Sequence, residues 1–143
     1  MRILRLLVGI VAVYFIFVVF FEAGYLGTYQ PSFEENGIPM LVLTTTNNSG
    51  ESQTRMLARF ETDNRLYVSA HHWTRGWYRR ALENPHVQVK IDDEVSNYVA
   101  VPVQGEEFER VASQYPLPFL VRFLMGFPPS RDILRLDLSR NPN

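Results

Sequence analysis

The chain has 143 residues, 14 lysines and arginines against 15 acidic residues for a formal charge of −1, and no cysteine. That balance offers no basic excess for gripping a phosphate backbone, which argues against nucleic acid as a partner. The missing cysteine removes disulfides, thiolate metal sites and cysteine nucleophiles, and the length leaves one modest core once the apolar N-terminal segment is set apart.

Leu6 to Phe21, LLVGIVAVYFIFVVFF, is an uncharged run. With Ile3 and Leu4 added and Arg5 snorkelling, a helix here reaches about 28 Å, close to the roughly 30 Å of a bilayer's hydrocarbon core. A cleaved signal peptide and a peripheral helix are the rival readings, but Phe21 and Glu22 stand where a signal peptidase needs small residues. The expectation is a single-pass anchor over residues 1–26. Arg2 and Arg5 before the span, with Glu22, Glu34 and Glu35 after it, predict a cytoplasmic N-terminus and a domain outside, on the periplasmic side. Residues 27–37, rich in Gly, Pro and polar side chains, read as a linker to a domain over residues 38–143.

In that domain Pro39 to Thr46 is a β-branched strand, NNSGES a turn, and Gln53 to Phe60 a second strand. ETDN turns the chain into a strand over Arg65 to Ala70, and a short helix capped by Thr74 follows. Val87 to Asp92 and Asn97 to Val103 form a hairpin across DEVS, with Pro102 marking an edge or a bulge. Glu106 to Tyr115 is helical, an interval bounded by prolines follows, and Asp132 to Leu138 is the last strand. Six short strands with few intervening helices predict a mainly β fold, a small barrel with mostly antiparallel pairing, because a doubly wound parallel sheet needs a helix between most strands.

Alternation along TRMLARF puts Arg55, Leu57 and Arg59 on one face and Met56, Ala58 and Phe60 on the other. The two arginines, about 13 Å apart, either clamp an anion or shield Leu57 on a solvated face. At the start of the short helix, free N–H groups, the Thr74 hydroxyl and the Arg75 guanidinium make either an anion site or an ordinary cap. His71 and His72 are adjacent with no carboxylate at a ligand spacing, so no metal site is expected, and lining a cavity is the better role for either. No nucleophile elbow, P-loop, dinucleotide fingerprint or carboxylate pair is present, so no catalytic residue is assigned and the chemistry points to a bound cofactor.

The order LVLTTT, a Ser-Gly turn, LYVSA and then WYRRALENPHVQV resembles the FMN-binding split-barrel superfamily of pyridoxamine 5'-phosphate oxidase-like proteins. It is most similar to the deazaflavin (coenzyme F420)-dependent nitroreductase branch, over about Ile38 to Leu138, with Trp77-Tyr78 and Asn84-Pro85-His86-Val87 as the most specific pieces. The resemblance implies a split β-barrel whose cofactor, FMN or coenzyme F420, has its phosphate at the strand-to-helix corner. Ser69, Ala70, Thr74 and Arg75 would form that corner beside Trp77 and Tyr78, with Thr74, Arg75 and Arg55 holding the phosphate and main-chain groups near Ser69 to His71 facing the ring. Tyr115, Phe119 and Phe123 would line a pocket for a lipophilic acceptor, a quinone or a nitroaromatic. The implied activity is that of a membrane-anchored oxidoreductase, and such barrels commonly form homodimers. A non-catalytic accessory subunit of a membrane complex is the alternative, with haem held by His71 or His72 as a third reading.

Overall fold

The computed structural model describes residues 2–26, 37–71, 75–127 and 130–139. Helix α1, Arg2–Phe20, runs on into a π-helical turn, Phe21–Leu26. The domain contains β1 (Met40–Thr46), β2 (Ser52–Thr62), β3 (Arg65–Ala70), α2 (Gly76–Glu83), β4 (His86–Ile91), β5 (Glu94–Pro102), α3 (Gly105–Gln114), α4 (Phe119–Leu124) and β6 (Asp132–Leu138). The strands close a barrel in the order β1-β2-β3-β6-β5-β4, and every pairing is antiparallel.

Period-two alternation decides what enters the barrel. Leu41 and Leu43 of β1, Leu66 and Val68 of β3, Val87 and Val89 of β4, and Leu134 and Leu136 of β6 meet in one buried cluster. Trp77 and Ala81, four residues apart on α2, join the same cluster and plug one end of the barrel. Buried Thr45 sits at that end, its hydroxyl accepting from Arg80 Nε at 3.1 Å, so the polar group at the plug has a partner.

A second cluster, Tyr67, Val103, Val111 and Ile133, lies where α3 covers the outer face of β3 and β6. Glu107 of α3 fastens that face: it accepts from the Tyr67 hydroxyl at 2.9 Å and from Arg135 Nη1 at 2.8 Å. Burial alone would raise the Glu107 carboxyl, but the hydrogen bonds from Arg135 and Tyr67 and the charges of Arg135 and Arg65 hold it below its usual range. Burial and the bond to Glu107 in turn raise the Tyr67 hydroxyl.

Turn chemistry sets two hairpins. Asp63 and Asn64 both take positive φ, 53° and 59°, as a two-residue hairpin turn demands. The β4–β5 hairpin differs from the DEVS connection expected above: Asp92 takes φ 53°, the chain reverses at Asp92-Asp93, and Glu94 to Ser96 join β5 opposite Ile91 to Val89. The tight turn matches strand twist and carries the pairing with β4 out to Glu94 opposite Ile91. Pro102 is the last residue of β5, where its missing N–H costs no interior ladder bond.

Helix α1 is not a core helix. Tyr14, Val18 and Phe21, spaced four and three residues apart, are its shielded positions, while the residues before Tyr14 are exposed. The segment meets the length and hydropathy of a membrane span, with a mean hydropathy of 2.8.

Candidate functional site

The register of β2 creates an opening. Its first half, Ser52 to Ala58, pairs with β1, whereas only Arg59 to Thr62 pair with β3. Beyond Arg59 opposite Val68 the two strands diverge, so the barrel is split between Ala58 on β2 and Ser69 on β3. Side chains from both faces of β2 therefore meet the space beside it.

That space is a cavity of about 1090 Å³. Leu57 and Trp77 reach it from the barrel interior, and Met40, Ala58 and Phe60 from the outer face. Tyr14, Phe15, Val18 and Val19 of α1 form one wall, and Leu117, Val121, Leu124 and Met125 another. Its polar groups are Arg55, Ser69, His71, Gln114 and Arg131, with the tyrosines Tyr14 and Tyr115, and the described lining carries no carboxylate. Both tyrosine hydroxyls are occupied: Tyr14 donates to the Phe123 carbonyl at 2.6 Å and Tyr115 to the Glu61 carbonyl at 3.1 Å.

The two cavity arginines differ. Arg131 Nη2 donates to the Ala112 carbonyl at 2.8 Å, and burial lowers its affinity for the proton. Arg55 shares the face of Leu57 by alternation, is exposed to the cavity, and makes no ion pair or hydrogen bond among the described residues. Two cations with no carboxylate, set in apolar walls, favour an anion carried on an aromatic or aliphatic body.

The sequence-predicted residues divide into groups. Arg55, Ser69, His71 and Trp77 come together at the cavity, with His71 Nδ1 3.2 Å from Ser69 Oγ. Ala70 points into the barrel core, and Tyr78 packs beside that core, its hydroxyl raised by burial and by the charge of Asp132. Arg75 does not line the cavity: its guanidinium pairs with Asp132 and donates to the Ser130 carbonyl at 2.8 Å, tying the start of α2 to β6. Helix α2 begins with Arg75 at the cap position and no side-chain cap bond, while Thr74, expected to cap it, and His72 lie outside the described residues.

Of the acceptor-side residues, Tyr115 lines the cavity and its ring lies 4.6 Å from Phe60. Phe119 and Phe123 do not, because α4 turns them outward and presents Val121 and Leu124, three apart, to the cavity. The wall from α1 and the arginine at 131 are missing from the sequence-based site. Signals for both exist: a tyrosine in the middle of an apolar span, and an arginine closing a stretch from Tyr115 to Ser130 that has no acidic residue.

Comparison with known proteins agrees with this architecture. Residues 25–117 match the profile of a family described as F420H(2)-dependent quinone reductase. No curated protein matches in sequence. Among solved structures, a protein described as a domain-swapped dimer is similar with TM-score 0.55 and 23% identity, covering 69% of this chain and 80% of its own. An F420-H2 dependent reductase is similar with TM-score 0.51 and 22% identity, over 69% of this chain and 94% of its own. General Stress Protein 26 from Bacillus anthracis is similar with TM-score 0.54 and 19% identity, over 72% and 81%. At these identities the solved structures show a shared split-barrel fold.

Proposed function

The chain belongs to the F420H(2)-dependent quinone reductase family, and from that premise we propose that it is a membrane-anchored oxidoreductase that takes a hydride from reduced coenzyme F420 and passes it to a quinone. The observation that carries this reading is the cavity at the split of the barrel, large enough for a ring cofactor and an acceptor together, with apolar walls, two arginines and no carboxylate among the described lining residues. When bound, the reduced deazaflavin supplies the hydride; the chain supplies the place. FMN is the rival cofactor, and the family match favours coenzyme F420. A nitroaromatic would be an alternative acceptor.

In this reading Arg55 holds the cofactor's phosphate, and Arg131, already desolvated and anchored on Ala112, adds positive potential. Ser69, His71 and Trp77 line the cavity, where Ser69 and His71 would face the ring and Trp77 would floor it. Ala70 and Tyr78 hold the corner from behind, and Arg75 ties the start of α2 to Asp132. Tyr115, Val121 and Leu124 exclude water from the acceptor side. A homodimer fits the assembly described for one structural relative.

The test is a binding titration of the full-length chain in detergent with coenzyme F420 and, separately, FMN. Micromolar binding of coenzyme F420, followed by quinone-dependent oxidation of its reduced form, is the expected outcome. Tighter binding of FMN would move the cofactor assignment, and binding of neither would leave the accessory-subunit reading in its place.

A further inference from the structure

Resting on the anchor reading above, we propose that α4, together with Phe127, is a second membrane element, sunk into the leaflet beside α1 so that the cavity opens to lipid between them. The depth follows from one contact. Tyr14 precedes Phe20, the last residue of α1, by six residues, which places it about 9 Å along the axis from that end of the helix. Its hydroxyl donates to the Phe123 carbonyl at 2.6 Å and its ring lies 5.1 Å from the Phe123 ring. If α1 spans with its ends at the two interfaces, Phe123 must lie below the lipid surface with Tyr14.

The surface chemistry of α4 suits that position. Phe119 is 73% and Leu120 65% exposed, and Phe123 and Phe127 are exposed beside them. In water they form a contiguous apolar patch joined to the exposed face of α1, whereas Ile38, Leu82, Val95 and Leu138 are scattered over other elements. Part of the backbone is bonded within the segment: the N–H groups of Arg122, Met125, Gly126 and Phe127 donate to Pro118, Val121, Phe123 and Arg122, Pro116 and Pro118 have none to satisfy, and the first-turn N–H groups of Phe119 to Val121, without a side-chain cap, place that end of α4 toward the headgroups. The stretch from Tyr115 to Ser130 has no carboxylate, and its exposed Arg122 has the reach to snorkel to an anionic headgroup.

The consequence is a route. Val121 and Leu124 line the cavity from α4, and Phe15 and Val19 line it from α1, so the two elements that face lipid on one side wall the site on the other. An acceptor dissolved in the bilayer reaches the cavity by moving sideways between them, without crossing water.

Because the chain has no native cysteine, single-cysteine variants report unambiguous positions. Leu120→Cys on α4, Val11→Cys in α1 and Val95→Cys on the barrel, all exposed, are labelled with an environment-sensitive fluorophore in the full chain. Each is reconstituted into phosphatidylcholine and phosphatidylglycerol vesicles and quenched by brominated lipid or by aqueous iodide; Phe119→Cys repeats the α4 measurement. The expected result is blue-shifted emission and quenching by brominated lipid at positions 120 and 11, with iodide quenching only at 95. Lipid quenching at 11 but iodide quenching at 120 overturns the proposal and leaves the anchor standing. Shielding of 120 from both quenchers overturns it in favour of a second copy of the chain on that face. Absence of lipid quenching at 11 removes the anchor itself and the proposal with it.

Discussion

Arg55 and Arg75 are chemically identical side chains with different occupations. Arg75 commits its charge to Asp132 and the Ser130 carbonyl, whereas Arg55 faces the cavity with no partner among the described residues. Arg55→Met should weaken coenzyme F420 by about 10- to 100-fold, the worth of a charge-assisted hydrogen bond, while Arg75→Met should shift it by no more than a few-fold; fluorescence titration of both variants reads the difference. Equal weakening in the two variants would restore the phosphate to the helix start. At Glu107 the sign of the pH effect is fixed by its direction of shift. A carboxyl held below its ordinary value of 4.5 contributes stability that is complete above that pH and is lost as the pH falls through the lower, folded value. Glu107→Gln should therefore cost roughly 1–2 kcal/mol at pH 7, with the deficit shrinking below about pH 4, as urea unfolding at the two pH values would record. These residues were visible as types in the sequence, but their partners, Asp132 for Arg75 and Arg135 for Glu107, lie far along the chain and follow no local period.

The elements of the barrel were legible because local rules sufficed for them. The strands Arg65–Ala70 and Asp132–Leu138 coincide with their apolar alternation, and the hairpin over Asp63-Asn64 follows from turn residues that tolerate positive φ. The start of β5 was not, since DEVS has turn-like composition and only pairing with β4 draws Glu94 to Ser96 into the sheet. Helix α4 was not either, for an apolar interval between prolines has no polar face to show a helical period. Helix α2 is the element on which the interior most depends: Trp77 joins the barrel cluster and also floors the cavity. Trp77→Ala should cost about 3–5 kcal/mol and lower the thermal midpoint sharply, with a weakened near-ultraviolet circular dichroism signal as the check. A stable Trp77→Ala barrel would show that α2 is only a lid.

At the scale of the molecule, the barrel clusters contain no residue of α1, yet α1 walls the cavity through Tyr14, Phe15, Val18 and Val19. Deleting residues 2–26 should leave the barrel folded by circular dichroism. It should raise KM for a lipophilic quinone by about tenfold or more, since shielding one Val or Phe side chain from water is worth about 1.5–3 kcal/mol, while coenzyme F420 binding changes little. Unchanged quinone kinetics would mean that the acceptor does not touch this wall. The sequence by itself determined the antiparallel barrel, the apolar N-terminal segment and the family, because alternation, turn residues and short motifs are local properties that neighbouring residues carry together. The cavity was decided only in three dimensions. It exists where β2 changes partner from β1 to β3, and where an N-terminal helix meets a segment more than a hundred residues later, the Tyr14 hydroxyl on the Phe123 carbonyl. Register and long-range packing, which leave no periodic trace in the chain, brought Arg55 and Arg131 to one space and turned Arg75 away from it.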